Sequence, residues 1–539
     1  MSVPDPFDQF VADRVASRLF SHDLSVFCPP DAPADRSASI RHRLGWLTAP
    51  GGFSSRVPDL ANFAHDCWDE QIRRIYLLGM GGSSLGAEVL RDMGPEQPHA
   101  PKLTVLDTTD ERTIREATET LSPANTLFVV ASKSGGTIEV ASLERHFWTL
   151  VEEALGEKAG RQFVAITDPG TVLVSLAKDR GYRQSFLNPP DIGGRYSVLS
   201  LFGLVPGALL RQPMDRLLES AETMATRCKR DGFGNPGLAL AAFIASNARN
   251  GRDKLTLLLE PSLQSFGAWV EQLVAESTGK EGRGVLPIVG EPIGKPSEYG
   301  DDRAFVVIRR PWTTDLQEVG ARMRTGGHPV FEIEMATDEL GAELFRWEFA
   351  TAVVGASLGI NPFDEPDVKD AKLRTQSQLE YRHARAAFRF DPAFERGQGY
   401  SRREAGRDAG VTPGGYVAVL DYLPQEPRRA DIMSRLRAAL RERTHLATTY
   451  GLGPRYLHST GQYHKGGPNT GLFLLFTAID DTVTPVPGTD YTFSALKFAQ
   501  ALGDFDALAA AGRHVVHYHI EDPGADYSAA LESVLRGYR

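Results

Sequence analysis

Cysteine is nearly missing from this chain of 539 residues. The three present, Cys28, Cys67 and Cys228, lie far apart and form neither a CxxC pair nor a Cys/His cluster. That excludes a disulfide framework or a zinc site built from them, and a reducing, cytoplasmic setting is the expectation. Long apolar runs are absent too: the stretch from Tyr196 to Leu210 is broken by serine and proline and falls short of the ~20 residues a membrane span needs. The opening MSVPDPFDQF carries acids and no basic region, so no signal peptide is expected. Nor is there a basic excess. With 59 Lys and Arg against 69 Asp and Glu, the net charge is −10, which argues against nucleic-acid and membrane-surface partners. No period of roughly 20 to 50 residues recurs, so a solenoid is not expected.

What is present is the composition of a globular protein with large cores, 42% hydrophobic and 24% charged. Residues 1–70 open with Asp5-Pro6, a cap followed by proline at the first helical position. Phe7, Phe10, Val11, Val15 and Leu19 follow at helical spacing, which predicts a helical N-terminal arm. From Gln71 the runs IRRIYLLG, KLTVLD, TLFVVAS and QFVAITD each precede a segment of helix-forming composition. Such alternation predicts βαβ units around a parallel sheet over 71–213. A second α/β unit over 214–375 is expected from KLTLLLE, AFVVIRR and VFEIEM, with a helix from Ser262 to Glu276. Over 376–539, a charged connection, in part helical to about 411, leads to a C-terminal α/β module. Its expected strands are YVAVLDYL and GLFLLFTAI, and its helices Ala430 to Arg443 and Phe493 to Ala510.

The run YLLGMGGSSLGAEVL reads as strand, glycine turn and helix, an arrangement that turns backbone N–H groups and a positive dipole end toward an anion. Three readings compete for it. A dinucleotide site would want G-x-G-x-x-G, but Ser84 stands where the third glycine belongs; Asp107 at the next strand end could hold a ribose. Gly82-Ser83-Ser84-Leu85-Gly86 is a literal G-x-S-x-G, as in a hydrolase elbow. The third reading is that the glycines only allow tight packing. A second loop, which neither a dinucleotide fold nor a hydrolase elbow needs, follows TLFVVA: Ser132-Lys133-Ser134-Gly135-Gly136-Thr137-Ile138-Glu139, again before a helix. Its three hydroxyls and two glycines suit a phosphate at a helix start.

Ser132 to Thr137 resembles the phosphate-binding loop of sugar isomerase (SIS) domains, and GMGGSSLG resembles the first glycine loop of glucose-6-phosphate isomerases. Further motifs of that family follow in order. Gly193-Gly194-Arg195-Tyr196-Ser197 is similar to its arginine motif, Glu276 to Lys280 to its glutamate motif, and Ile360 to Asp364 through Lys372 to its lysine motif. RYLHSTGQYHKGGPNTG, from Arg455, resembles the end of the isomerase half of bacterial transaldolase/glucose-6-phosphate isomerase fusions. About 70 residues precede the first strand, against ~250 for a typical barrel, so the transaldolase half is not expected here.

The resemblance implies two SIS-like doubly wound α/β domains and a metal-independent aldose-ketose isomerase without a cofactor, interconverting glucose 6-phosphate and fructose 6-phosphate in glycolysis and gluconeogenesis. Other readings are a dual phosphoglucose/phosphomannose isomerase or a non-catalytic sugar-phosphate-binding protein; a homodimer is possible. Gly82, Ser83, Ser132, Ser134 and Thr137 are expected to hold the phosphate. Glu276 would carry the proton between C2 and C1, Arg195 would stabilise the enediolate, and Lys372 would serve ring opening. Two positions depart from the family pattern: Arg303 stands where a ring-opening histidine usually lies, and Glu365 where a glutamine often precedes the lysine motif. An arginine does not exchange protons near neutrality, so His464, or failing that His458, is expected to replace the histidine. His514, His517 and His519 along VVHYHI are read as sharing one face of a strand surface, not as a metal site.

Overall fold

The structure is a computed structural model and describes residues 6–28, 34–367, 373–379, 395–396, 400–405, 414–425, 428–520 and 536. Its first sheet is wholly parallel, with strand order β2-β1-β3-β4-β5. The strands are β1 (Arg74–Gly79), β2 (Lys102–Leu106), β3 (Thr126–Ala131), β4 (Phe163–Thr167) and β5 (Gln184–Leu187). Every residue of β3 and β4 is buried. Helices on both faces leave such strands no wet side, so their sequences are apolar throughout and do not alternate. At the edge, β5 buries only Phe186. The strand order reverses between β1 and β3, and in parallel α/β sheets that reversal opens a crevice at the carboxyl ends of the two strands. Gly79 and Ala131 end those strands side by side.

The second sheet, β7-β6-β8-β9, is parallel as well. It comprises β6 (Lys254–Leu259), β7 (Leu286–Ile288), β8 (Arg303–Arg309) and β9 (Val330–Glu334). After β6 a short turn leads into the helix Gln264–Thr278, two residues later at each end than the sequence reading. One continuous core joins this sheet, the first sheet and the N-terminal helices; Leu19, Trp46, Leu77, Leu257 and Trp347 all belong to it. Phe10, Val15 and Leu19 are buried, in keeping with their helical spacing. Asp231 Oδ1 accepts from the N–H groups of Ala16 and Ser17 at 3.1 and 3.2 Å, tying the N-terminal helices to the second unit.

The third sheet has six strands, β10 (Glu395–Arg396), β11 (Tyr400–Ala405), β12 (Tyr416–Tyr422), β13 (Ala447–Leu452), β14 (Gly471–Ala478) and β15 (His514–Ile520). Their order is β10-β11-β15-β14-β12-β13. β12 to β15 are parallel, and β11 joins β15 antiparallel. Three details correct the sequence reading. The charged connection contributes two strands, the short edge strand β10 and β11, formed by YSRREA between β10 and β15, in addition to its helical part at 373–379. Strands β5, β7 and β13 are additional to the expected set. His514 does not share a face with His517 and His519, because a spacing of three residues changes sides. His514 pairs with Glu404 of β11, while His517 and His519 both bond Thr477 Oγ1, at 2.7 and 2.8 Å, in the interior. Among the described residues no group of three or more metal-ligating side chains could hold an ion, and no helix is long and apolar enough to cross a membrane.

The third unit is locked over the carboxyl ends of the first sheet. Lys497 Nζ donates to Asp110 Oδ2 at 3.1 Å and to Asp480 Oδ1 at 2.5 Å, all three groups buried. Glu111 accepts from the N–H groups of Thr484 and Ser494 at 3.0 and 2.8 Å. A buried cation with two anions is held by geometry on every side, so the helix Phe493–Ala510 and the segment before it are fixed above the crevice.

Candidate active site

The glycine turn after β1 sits where three segments meet. Gly81 has φ +54°, and a Cβ there would stand 2.7 Å from both Gln272 Nε2 and the His458 carbonyl. A Cβ on Gly82 would stand 2.0 Å from the carbonyl of Gly194, next to Arg195. These glycines therefore serve close approach: they admit the arginine loop on one side and the C-terminal unit on the other. Gln272 ties the junction together, donating from Nε2 to Glu276 Oε2 at 3.0 Å and to the His458 carbonyl at 2.8 Å.

Glu276 projects from the last turn of the helix Gln264–Thr278, with its side chain only 12% exposed. Its Oε1 lies 3.4 Å from Arg195 Nη1. Burial pushes its carboxyl above the usual carboxylate range; Arg195 opposes the shift and Glu365 adds to it. Arg195 is itself buried: Nε donates to Ser277 Oγ at 2.8 Å, and Nη2 to the carbonyls of Pro362 and Asp364 at 2.9 Å each. A guanidinium held through Nε and Nη2 is fixed in direction, as a group that meets developing negative charge must be. Lys280 holds the same strap, residues 361–367. Its Nζ donates to the Asn361 carbonyl at 2.6 Å and to Asp364 Oδ1 at 2.7 Å, and burial lowers its pKa to about 8.

The second loop leads into the helix Ile138–Leu155. Thr137 is its N-cap residue but makes no side-chain cap bond. Instead Thr137 Oγ1 and Ser132 Oγ pair at 3.0 Å, which leaves the helix start without a side-chain cap and suited to an anion. Ser134 is exposed and accepts from the Gly136 N–H at 3.4 Å. Gly136 and Thr137 line a cavity of about 180 Å³ that also meets Glu139, His458, Lys465 and Gln500. Gly82 and Ser83 lie in the glycine turn, against the arginine loop.

The two candidate histidines part company. His458 Nε2 lies 2.9 Å from Glu139 Oε1, at the cavity wall, with 15% of its side chain exposed. His464 is not brought to this site. It is sealed in the core of the third unit, where Nδ1 meets Tyr416 Oη at 3.1 Å and the ring packs on Tyr416, Tyr456 and Phe473. Burial lowers its pKa well below the ordinary histidine value. Of the other expected positions, Lys372 lies outside the described residues. Arg303 is fully buried at the start of β8, with both Glu291 oxygens at 3.0 Å from Nη2.

The competing readings of the first loop close at the same time. Ser84 Oγ donates to the Gly81 carbonyl at 3.0 Å and to Asp107 Oδ2 at 3.2 Å, and its side chain is wholly buried. Asp107 is also paired with Arg455 at 3.2 Å. A serine so placed is no exposed nucleophile, and an aspartate so occupied is no ribose ligand. Residues that sequence reasoning missed are Glu139, Gln272 and Gln500. Gln500 Nε2 donates to Glu139 Oε1 at 2.7 Å and reaches it from 361 residues away. Glu139 had a signal, since it stands two residues after the loop threonine, but an acid in a first helical turn is common for its effect on the helix dipole alone.

Known proteins share parts of this sequence and fold. Residues 66–285 match the family model Phosphoglucose isomerase. The glucose-6-phosphate isomerase of Rubrobacter xylanophilus is 28% identical over 354 residues, 56% of this chain and 81% of that protein. That of Carboxydothermus hydrogenoformans is 27% identical over 407 residues, 64% of this chain and 86% of that protein. Among solved structures, a hypothetical protein from Thermus thermophilus matches with TM-score 0.59 at 21% identity, covering 70% of this chain and 99% of its own. A glucose-6-phosphate isomerase from Chlamydia trachomatis matches with TM-score 0.52 at 19% identity, covering 69% and 78%. The fold is thus similar to that of the Chlamydia trachomatis enzyme. Sequence narrows the likeness further: the matched family model and both relatives are those of glucose-6-phosphate isomerases, the relatives at 27 to 28% identity.

Proposed function

We propose that this protein interconverts glucose 6-phosphate and fructose 6-phosphate through an enediol intermediate. The observation that carries the reading is the buried Glu276 carboxylate set 3.4 Å from the Arg195 guanidinium, one glutamine away from the histidine that overhangs the anion-suited loop. In this reading the hydroxyls of Ser132, Ser134 and Thr137 and the start of the helix Ile138–Leu155 hold the phosphate dianion. Glu276 takes the C2 proton and returns it to C1, and Arg195 stabilises the oxygen on which charge develops.

Ring opening needs a group that gains and loses a proton, and we assign it to His458. With Nε2–H donating to Glu139, Nδ1 is the ring nitrogen left to exchange a proton with the sugar. Glu139 acts through that histidine, holding its tautomer and direction. The third unit then serves as a wall of the site, within the division 71–213, 214–375 and 376–539.

The test is a coupled assay on purified protein, reading NADPH from glucose-6-phosphate dehydrogenase with fructose 6-phosphate as substrate. Turnover is expected, and inorganic phosphate should inhibit competitively. Absence of NADPH formation above the enzyme-free blank overturns the reading.

A further inference from the structure

Glu365 stands where the family pattern often has a glutamine, and none of the roles above uses it. Its Oε2 lies 3.2 Å from Arg195 Nη1, the same nitrogen that faces Glu276 Oε1. Two carboxylates thus share one guanidinium nitrogen. They differ in setting: the Glu276 side chain is 12% exposed and that of Glu365 is 44% exposed, so one lies inside the site and the other at its mouth.

The strap that carries Glu365 has little freedom to withdraw. Arg195 Nη2 donates to the carbonyls of Pro362 and Asp364, Lys280 Nζ holds Asn361 and Asp364, and the Asp367 N–H donates to Gln462 Oε1 at 3.0 Å. The groups facing Glu276 are Arg195 and Tyr196 from the arginine loop, Gln272 from its own helix, Lys280 beyond the helix end, and Glu365 from the strap. Of these, Glu365 alone repeats the charge of Glu276.

We propose that Glu365 is a positioning residue that shares Arg195 with Glu276, and that its negative charge makes Glu276 a stronger proton acceptor than the glutamine of the family pattern would. The physical reason is that a neighbouring like charge opposes ionisation, while the shared guanidinium keeps both carboxylates in place. Its effect on the Glu276 carboxyl runs in the same direction as burial and against Arg195, Gln272 and Lys280. The proposal rests on the reading of Glu276 as the catalytic base.

The test titrates the free protein by ¹³C-carboxylate NMR, with the Glu276 signal identified by its loss in Glu276→Gln. In Glu365→Gln the Glu276 midpoint is expected to fall. Glu365→Ala should move it the same way, and Glu365→Asp, which keeps the charge, should move it less than either. The acidic limb of kcat/KM should follow the midpoint. A Glu276 midpoint that stays or rises in both charge-removing variants, with thermal unfolding and phosphate binding like the parent protein, overturns the proposal. The titration needs no turnover, so a failure of the isomerase reading would show in the coupled assay and leave the NMR result to stand by itself.

Discussion

The first two sheets and the parallel part of the third, β12 to β15, repeat one topology and put it to different uses. In each of these parallel sets the first strand lies between the second and third, so β1/β3, β6/β8 and β12/β14 all mark a reversal of strand order. At β1/β3 the carboxyl ends lead into two loops of glycine and hydroxyl residues beside a helix start that no side chain caps. At β6/β8 the corresponding place is occupied by the protein itself: Glu260 Oε2 accepts from the Arg310 N–H at 3.1 Å and from Thr313 Oγ1 at 3.2 Å. At β12/β14, Asp421 is held by Arg429 at 3.0 Å and by the Tyr450 hydroxyl at 2.6 Å, and Thr477 by two histidines. A crevice set by topology becomes a site only where its polar groups are left for a ligand. The second sheet still serves the first crevice, since the helix that leaves β6 delivers Glu276 from its far end.

The comparison is broken most strongly at Glu276. In Glu276→Gln, kcat for fructose 6-phosphate should fall at least ~10²-fold with little change in KM, because the shape is kept and the base is lost. Retained turnover would remove the second sheet from the chemistry.

The two histidines six residues apart sharpen it next. His458→Ala should slow turnover of the cyclic sugar by roughly 10- to 10²-fold, and C2 proton exchange on an open-chain analogue far less. His464→Phe should leave turnover unchanged and cost about 1 kcal/mol of stability from the lost Tyr416 contact, read as a lower Tm. The opposite pattern would move ring opening into the core of the third unit.

The smallest effect separates the two crevices directly. Ser134→Ala and Thr137→Ala should each weaken substrate binding by about 1 to 3 kcal/mol, as hydrogen bonds to a charged group do. Thr313→Ala, at the closed crevice, should leave inhibition by inorganic phosphate unchanged. Equal weakening in all three variants would mean that both crevices bind anions.

Sequence reasoning went furthest where chemistry is local. The strands β1, β3, β4, β6 and β8 announce themselves as apolar runs, because burial on both faces admits little else. It went wrong or stopped where a partner from elsewhere decides. β11 is charged and lacks the apolar signal of a strand, since it forms by pairing with β15; β7 has only three residues. His458 and His464 share one glycine-rich segment, and no local pattern tells which will meet Glu139 and which will meet Tyr416.

By itself, the amino-acid sequence determined the α/β alternation and both hydroxyl-rich loops, and its ordered motifs singled out Glu276 and Arg195 through their resemblance to a family. Each of these rests on neighbours within a few residues of chain. The tertiary structure alone decided that a cavity forms at the start of the helix Ile138–Leu155, that His458 stands at its wall, and that Glu276 and Glu365 share one nitrogen of Arg195. Those facts depend on segments 81 to 319 residues apart meeting at hydrogen-bond range, and such meetings are set by how the sheets and their covering helices pack.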